Sequence, residues 1–314
     1  MRAISQDTYG GPDVLRLIET DRPTPLPTEV LVRVHAAGVN PVDAKTRAGQ
    51  GVAGILGDPP IILGWDVSGV VEEVGHGVHT LAVGDEVYGM PWFPRAASAY
   101  AEYVTAPSRH FARKPGNLSH VEAAAVPLAG LTAYQILTAL ARVEKDQRVL
   151  IHAAAGGVGH LAVQFAKQLG AYVVGTASAG KHEWLRGLGA DEVIDYHRTD
   201  VAEATGDIDV VVDLIGSQVT QRQSVAVTRP GGLVVAVPSG TPPELLEQAA
   251  KSGVRAAPYL VEPDGPALGE IAALIESGAV SVEVEEVFAL AAAAEAHRRT
   301  ESGRTRGKLV LEVR

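Results

Sequence analysis

The chain has 314 residues, with 27 basic and 37 acidic side chains, a formal charge of −10 and no cysteine. Its length suits about two domains, and the missing thiols exclude disulfides, thiolate-held zinc or iron–sulfur centres and cysteine nucleophiles. Scattered basic residues on an acidic chain argue against a nucleic-acid partner.

No apolar run approaches the roughly 18 residues of a membrane span, and Met1-Arg2-Ala3-Ile4-Ser5-Gln6-Asp7 lacks a signal-peptide core. A cytoplasmic protein without membrane contact is the expectation. The first hundred residues read as β-rich. Val30 to Val34 follows a proline-rich turn, Val67 to Val74 closes on Gly75, and Gly84-Asp85 turns into Glu86-Val87-Tyr88. The character changes near residue 119. Ser119 and Glu122 have capping-box spacing before an alanine-rich helical run, which Pro127 divides.

From about residue 148 strands and helices alternate. Strands are predicted at Val149–His152, Tyr172–Thr176, Glu192–Ile194, Val210–Leu214 and Leu233–Val237, and Val254–Val261 reads as the last. Near-continuous apolar strands between helices predict a parallel sheet covered on both faces. The tail offers helices near Ala267–Glu276 and Leu290–Arg299 and a final strand at Leu309–Leu311.

The glycine loop carries the chemistry. Ala154-Ala155-Gly156-Gly157-Val158-Gly159 follows an apolar strand and opens a helix with Leu161, Phe165 and Leu169 on one face. Gly156 would admit a pyrophosphate to backbone N–H groups, and Gly159 would let the helix pack against the strand. An NAD site would offer an acidic residue about 20 positions further on. Here Gly175 to Lys181 contains Ser178 and Lys181 but no carboxylate before Glu183, which favours the 2′-phosphate of NADPH. Elsewhere, His76 and His79 have metal-like spacing but no third ligand, and His152 reads as a satisfied core histidine. Asp213 either faces the ligand end of its strand or braces a turn.

Several segments, in order, carry a specific resemblance. They are Tyr9-Gly10-Gly11-Pro12, Ala36-Ala37-Gly38-Val39-Asn40-Pro41-Val42-Asp43, Gly64-Trp65-Asp66-Val67-Ser68-Gly69 and Gly84 to Gly89. Further on come Pro127 to Ala133, His152 to Gly159, Pro230-Gly231-Gly232 and Gly307-Lys308-Leu309-Val310-Leu311. Together they resemble the zinc-independent, zeta-crystallin-like quinone oxidoreductases of the medium-chain dehydrogenase/reductase superfamily. The resemblance implies an α/β protein: a GroES-like β-rich catalytic domain, residues 1–120 completed by 263–314, and a Rossmann doubly wound parallel-sheet domain, residues 121–262. Substrate would meet nicotinamide between them. Zinc-dependent relatives have a cysteine where this chain has Asn40 and a histidine where it has Trp65.

The implied reaction is NADPH-dependent hydride transfer to a quinone or α,β-unsaturated carbonyl, with hydrogen-bond donors replacing zinc. Asn40 and Lys45 are the predicted donors, with Tyr88 on the cleft wall and Trp65 in core packing. Cofactor contacts are expected at Thr132, Ala154, Gly156, Gly157, Val158, Gly159, Ser178, Lys181, Tyr196, Ile215 and Val237. Lys308 in the basic tail is expected to reach the adenosine phosphate. A homodimer is expected from the resemblance and from the edge presented by the last sheet strand. Reduction of 2-enoyl thioesters, or a non-catalytic NADPH-binding or RNA-associated role, stays open at this level.

Overall fold

Valine-rich runs between glycine turns fold into short strands through the first third of the chain. These are β1 (Arg2–Gln6), β2 (Arg16–Glu19), β3 (Glu29–Val39), β4 (Ile61–Ile62), β5 (Asp66–Val74), β6 (Glu86–Gly89), β7 (Tyr103–Pro107) and β8 (Phe111–Arg113). Then follow β9 (Arg148–Ile151), β10 (Tyr172–Thr176), β11 (Glu192–Ile194), β12 (Ile208–Asp213), β13 (Thr228–Ala236) and β14 (Arg255–Pro258). The tail adds β15 (Val284–Ala289) and β16 (Lys308–Glu312). The computed structural model describes residues 1–238 and 240–314. They divide into two units, Met1–Leu131 with Glu262–Arg314, and Thr132–Val261.

The first unit is the β-rich one. A seven-stranded sheet runs β15-β16-β3-β5-β6-β8, with β7 also paired to β3, and β2-β1-β4 form a smaller sheet. Apart from β15 with β16 the pairings are antiparallel. The tail strand β16 enters beside β3, so residues from opposite ends of the sequence share one core that includes Val32, Val67, Tyr100 and Leu311. The register sets Gly38 opposite both Asp66 on β5 and Val310 on β16.

The second unit is a six-stranded parallel sheet in the order β11-β10-β9-β12-β13-β14. The chain moves outward from β9 to β11, then returns to the other side of β9 as β12. This reversal is the topological switch point of a doubly wound fold. Val149, Leu150 and Ile151 on β9 are fully buried, as a central strand covered on both faces requires.

Local signals translate directly. Ser119 Oγ accepts from the Glu122 N–H and the Glu122 carboxylate accepts from the Ser119 N–H. One helix ends at Ala124 and another begins at Pro127. The last strand of the parallel sheet is shorter than its apolar run predicts, ending at Pro258. The tail helix begins as a 3-10 turn at Leu290 and runs on to Glu301. Among the described residues no helix is long and apolar enough to cross a membrane.

Candidate functional site

In the parallel-sheet unit the chain leaves β9 and turns through Ala153, whose φ is +51°. The Ala153 N–H donates to Thr176 Oγ1 at 3.2 Å and the Ala154 N–H to the Thr176 carbonyl at 3.0 Å, which ties the loop to β10. A Cβ on Gly159 would lie 2.4 Å from the Ala153 carbonyl oxygen and 2.7 Å from Ala154 backbone carbons. Only glycine lets the helix Gly157–Gln168 start this close to the strand end. Gly156 precedes that helix without a side-chain cap, and the first turn contains no acidic residue. Its N–H groups and positive dipole end are thus uncompensated by acidic side chains of that turn, the electrostatic fit for a pyrophosphate.

The predicted cofactor residues of this unit, Thr132 apart, follow the carboxyl ends of the parallel strands. Ala154, Gly156, Gly157, Val158 and Gly159 follow β9; Ser178 and Lys181 follow β10; Tyr196 follows β11; Ile215 follows β12; Val237 follows β13. Tyr196 and Ile215 are exposed, whereas Thr132, on the helix Pro127–Gln135, is buried. Asp213 braces a turn. Its Oδ1 accepts from the Ile215 and Gly216 N–H groups at 2.9 Å, and its Oδ2 from the Thr220 hydroxyl at 3.0 Å. His152 departs from expectation. It is buried, but its Nδ1 lies 3.4 Å from Thr176 Oγ1 and its Nε2 has no partner among the described residues. Burial lowers its pKa against the opposing charge of Asp213.

In the β-rich unit Asn40 precedes the helix Pro41–Arg47, and its N–H donates to Asp43 Oδ2 at 2.7 Å. Its side-chain Nδ2 donates to Asp66 Oδ2 at 2.8 Å, while its Oδ1 accepts from Lys308 Nζ. Lys308 Nζ also donates to the Val39 carbonyl at 2.9 Å and lies 3.5 Å from Asp66 Oδ2. Asp66 Oδ1 accepts from the Leu128 N–H at 2.7 Å. Asn40, Asp66 and Lys308 are all buried. Burial pushes the Asp66 pKa up and the Lys308 pKa down, and each charge opposes the other's shift. Three donors around the carboxylate and three acceptors around the ammonium favour the ion pair.

A second buried chain adjoins this cluster. The Tyr100 hydroxyl donates to Asp43 Oδ2 at 2.8 Å, so its oxygen is left to accept the Nε2–H of His297 at 3.2 Å. His297 Nδ1 then accepts from Arg47 Nη1 at 3.2 Å, and Arg47 Nη2 reaches Glu301 at 2.5 Å. Asp43 Oδ1 has no partner among the described residues. Burial, aided by the nearby Asp66 charge, pushes the Asp43 pKa up to about 7. Burial and the Arg47 charge push that of His297 down to about 3.

The other predicted residues of this unit fall in different settings. Lys45 is exposed on the helix Pro41–Arg47. Tyr88, expected on a cleft wall, is fully buried on β6 and donates its hydroxyl to the Leu268 carbonyl at 2.5 Å, so core packing consumes it. Burial raises its pKa, with Glu276 adding to the effect. Lys308 lies in the β-rich unit, where its ammonium meets Asn40, Asp66 and the Val39 carbonyl. Trp65 packs edge-on to Phe93 and donates to the Arg95 carbonyl, the core role expected of it. A groove of about 620 Å³ lined by Leu81, Phe111 and Ala272 contains none of the predicted site residues.

Sequence reasoning assigned no role to Asp66, Asp43, Tyr100, His297 or Arg47. Asp66, a charge at the head of an apolar strand, and Asp43, three residues after the N-cap Asn40, carry local signals.

A glycine cradle on a doubly wound sheet, joined in one chain to a GroES-like β-unit, defines a dinucleotide-dependent oxidoreductase. Residues 26–116 match the alcohol dehydrogenase GroES-like domain and residues 188–311 the zinc-binding dehydrogenase domain. The chain is 36% identical to the 2-methylene-furan-3-one reductase of Solanum lycopersicum, over 99% of this chain and 79% of that protein. It superposes on the quinone oxidoreductase from Coxiella burnetii with a TM-score of 0.95 and 41% identity, covering 100% of this chain and 99% of the other. On the Escherichia coli quinone oxidoreductase complexed with NADPH the TM-score is 0.89, with 30% identity and full coverage of both chains. The chain belongs to the quinone oxidoreductases of the medium-chain dehydrogenase/reductase superfamily.

The zinc in the second domain's description does not fit these residues. The chain has no cysteine, the indole of Trp65 is committed to Arg95, and Asn40 is committed to Asp66 and Lys308. Among the described residues no group of three or more His, Cys, Asp or Glu side chains is arranged to hold a metal. A dinucleotide fits, because the close approach at Gly159 and the uncapped helix start form a cradle for its phosphates.

Proposed function

We propose that this protein is an NADPH-dependent reductase of quinones and α,β-unsaturated carbonyls, acting as a homodimer. The observation that carries the reading is the glycine cradle combined with a carboxylate-free end of β10, where Ser178 and Lys181 precede the first acidic residue, Glu183. A carboxylate there would accept from a ribose 2′-hydroxyl and repel a 2′-phosphate, whereas a hydroxyl and an ammonium receive the phosphate. NADPH, when bound, supplies the hydride.

The chain's own residues do the rest. Ala154, Gly156, Gly157, Val158 and Gly159 hold the pyrophosphate; Tyr196, Ile215, Val237 and Thr132 position the remainder of the cofactor. As the acceptor is reduced, negative charge grows on its carbonyl oxygen. Asn40 has one Nδ2–H beyond the one given to Asp66, and that N–H donates a hydrogen bond to the growing charge. Lys45, exposed on the helix that follows Asn40, delivers the proton an enolate needs. Similarity to a 2-methylene-furan-3-one reductase and to a quinone oxidoreductase complexed with NADPH supports the reaction class and the cofactor. The dimer reading rests on β14, which among the described residues pairs only with β13 and leaves a sheet edge to cover, with Leu246 and Leu260 exposed nearby.

The test is NADPH oxidation with a quinone, an enone and an enoyl thioester. Turnover of the first two and an Asn40→Ala loss of about tenfold to a hundredfold in kcat are expected. Tight NADPH binding without turnover of any acceptor would instead favour a non-catalytic role.

A further inference from the structure

The carboxamide of Asn40 is held more completely than packing alone demands. Its two ends are indistinguishable in shape, so an unclamped amide could flip and present oxygen where a donor is needed. Here one end meets a carboxylate and the other an ammonium. Asp66 accepts from Nδ2 and Lys308 donates to Oδ1, so a flip would set N–H against ammonium and C=O against carboxylate. The backbone is fixed as well, by Asp43 at the Asn40 N–H and by Lys308 at the Val39 carbonyl. The register makes room for this device. A Cβ on Gly38 would stand 2.7 Å from Asp66 Oδ2 and 2.4 Å from the Ala124 carbonyl oxygen, so glycine is what admits the carboxylate.

We propose that Asp66 and Lys308 are positioning residues for the reduction, a buried ion pair that locks Asn40 in the one amide orientation that presents its second Nδ2–H as a donor. The proposal rests on the reading of Asn40 as the donor to the substrate oxygen. Asp66 and Lys308 both bond to the Asn40 amide, and the role assigned to them runs through it. The ammonium on Oδ1 also polarises the amide, which strengthens its N–H groups as donors. The contribution to rate therefore appears in kcat, because the charge being stabilised exists only in the transition state.

A double-mutant cycle tests it. Asp66→Asn should lower kcat with an enone by about tenfold while the KM for NADPH stays within about twofold. Asn40→Ala/Asp66→Asn should be no slower than Asn40→Ala alone, since the pair acts only through that amide. Losses that multiply, or a KM for NADPH that rises in step with the fall in kcat, would overturn the proposal. If Asn40→Ala keeps full kcat, the donor reading fails first and the positioning role falls with it. If Asn40→Ala is impaired and Asp66→Asn is not, only the positioning role fails.

Asp66→Asn leaves the Lys308 charge buried without its partner, so the neutral pair Asp66→Asn/Lys308→Met is a second route to the same loss. A measurement on the unaltered protein covers the case in which neither folds. The sequence contains only two asparagines, Asn40 and Asn117. Selective ¹⁵N-asparagine labelling thus gives two side-chain amide pairs, with Asn40→Asp assigning them. One Asn40 amide proton should be protected from exchange with water, and the two should keep distinct shifts on warming. Rapid exchange of both protons, or their merging by rotation, would show an unlocked amide and overturn the proposal.

Discussion

The buried chain Asp43–Tyr100–His297–Arg47 predicts an unusual pH dependence of stability. Asp43 has an ordinary pKa of 3.8 and a folded one of about 7. Between those values the native state holds a proton that the unfolded chain has released, so stability falls as pH rises. His297 is the reverse: its pKa drops from 6.5 to about 3, the folded ring stays neutral while the unfolded ring is protonated, and stability rises with pH. One proton corresponds to a slope of about 1.4 kcal/mol per pH unit. From about pH 4 to 6.5 the two slopes cancel in the wild-type protein. Asp43→Asn keeps an oxygen for the Tyr100 hydroxyl and the Asn40 N–H but removes the titration. The difference in unfolding free energy, variant minus wild type, should then increase by about 2.7 kcal/mol between pH 4.5 and 6.5. Urea titrations at several pH values measure it, and taking the difference removes the titrating groups that are not coupled to Asp43. A difference independent of pH over that range would mean that Asp43 is ionised in the fold throughout, and the reasoning from its burial and its unpartnered Oδ1 would be wrong.

Other outcomes follow from the same geometry. Lys181→Glu places a carboxylate beside the end of β10 and should weaken NADPH binding while sparing NADH, measurable by fluorescence titration; equal loss for both cofactors would contradict it. Gly38→Ala should destabilise the β-rich unit by about 1–3 kcal/mol through overpacking, and an unchanged urea midpoint would show that Asp66 and Ala124 yield without cost. Turnover should survive dialysis against EDTA, because Trp65 and Asn40 stand in the ligand positions; loss restored by added zinc would reverse that assignment.

Much of the nucleotide-binding unit is legible in the sequence because its determinants are local. An apolar strand, a glycine loop and an amphipathic helix succeed one another between Val149 and Leu169, and each depends on neighbours a few residues away. The capping box at Ser119 and the break at Pro127 are legible for the same reason. The environment of Asn40 is not. Its partners lie 26 residues away at Asp66 and 268 away at Lys308, brought together by the pairing of β3 with β5 and β16. A basic residue in the tail reads as a solvated charge or a phosphate contact until the strand that carries it is laid beside β3. Tyr88 reads as a cleft aromatic until its hydroxyl reaches Leu268, 180 residues on. Local pattern encodes which elements form, because helix and strand periods are short. Which buried polar groups satisfy one another depends on strand register between distant segments, and only the tertiary structure decides that.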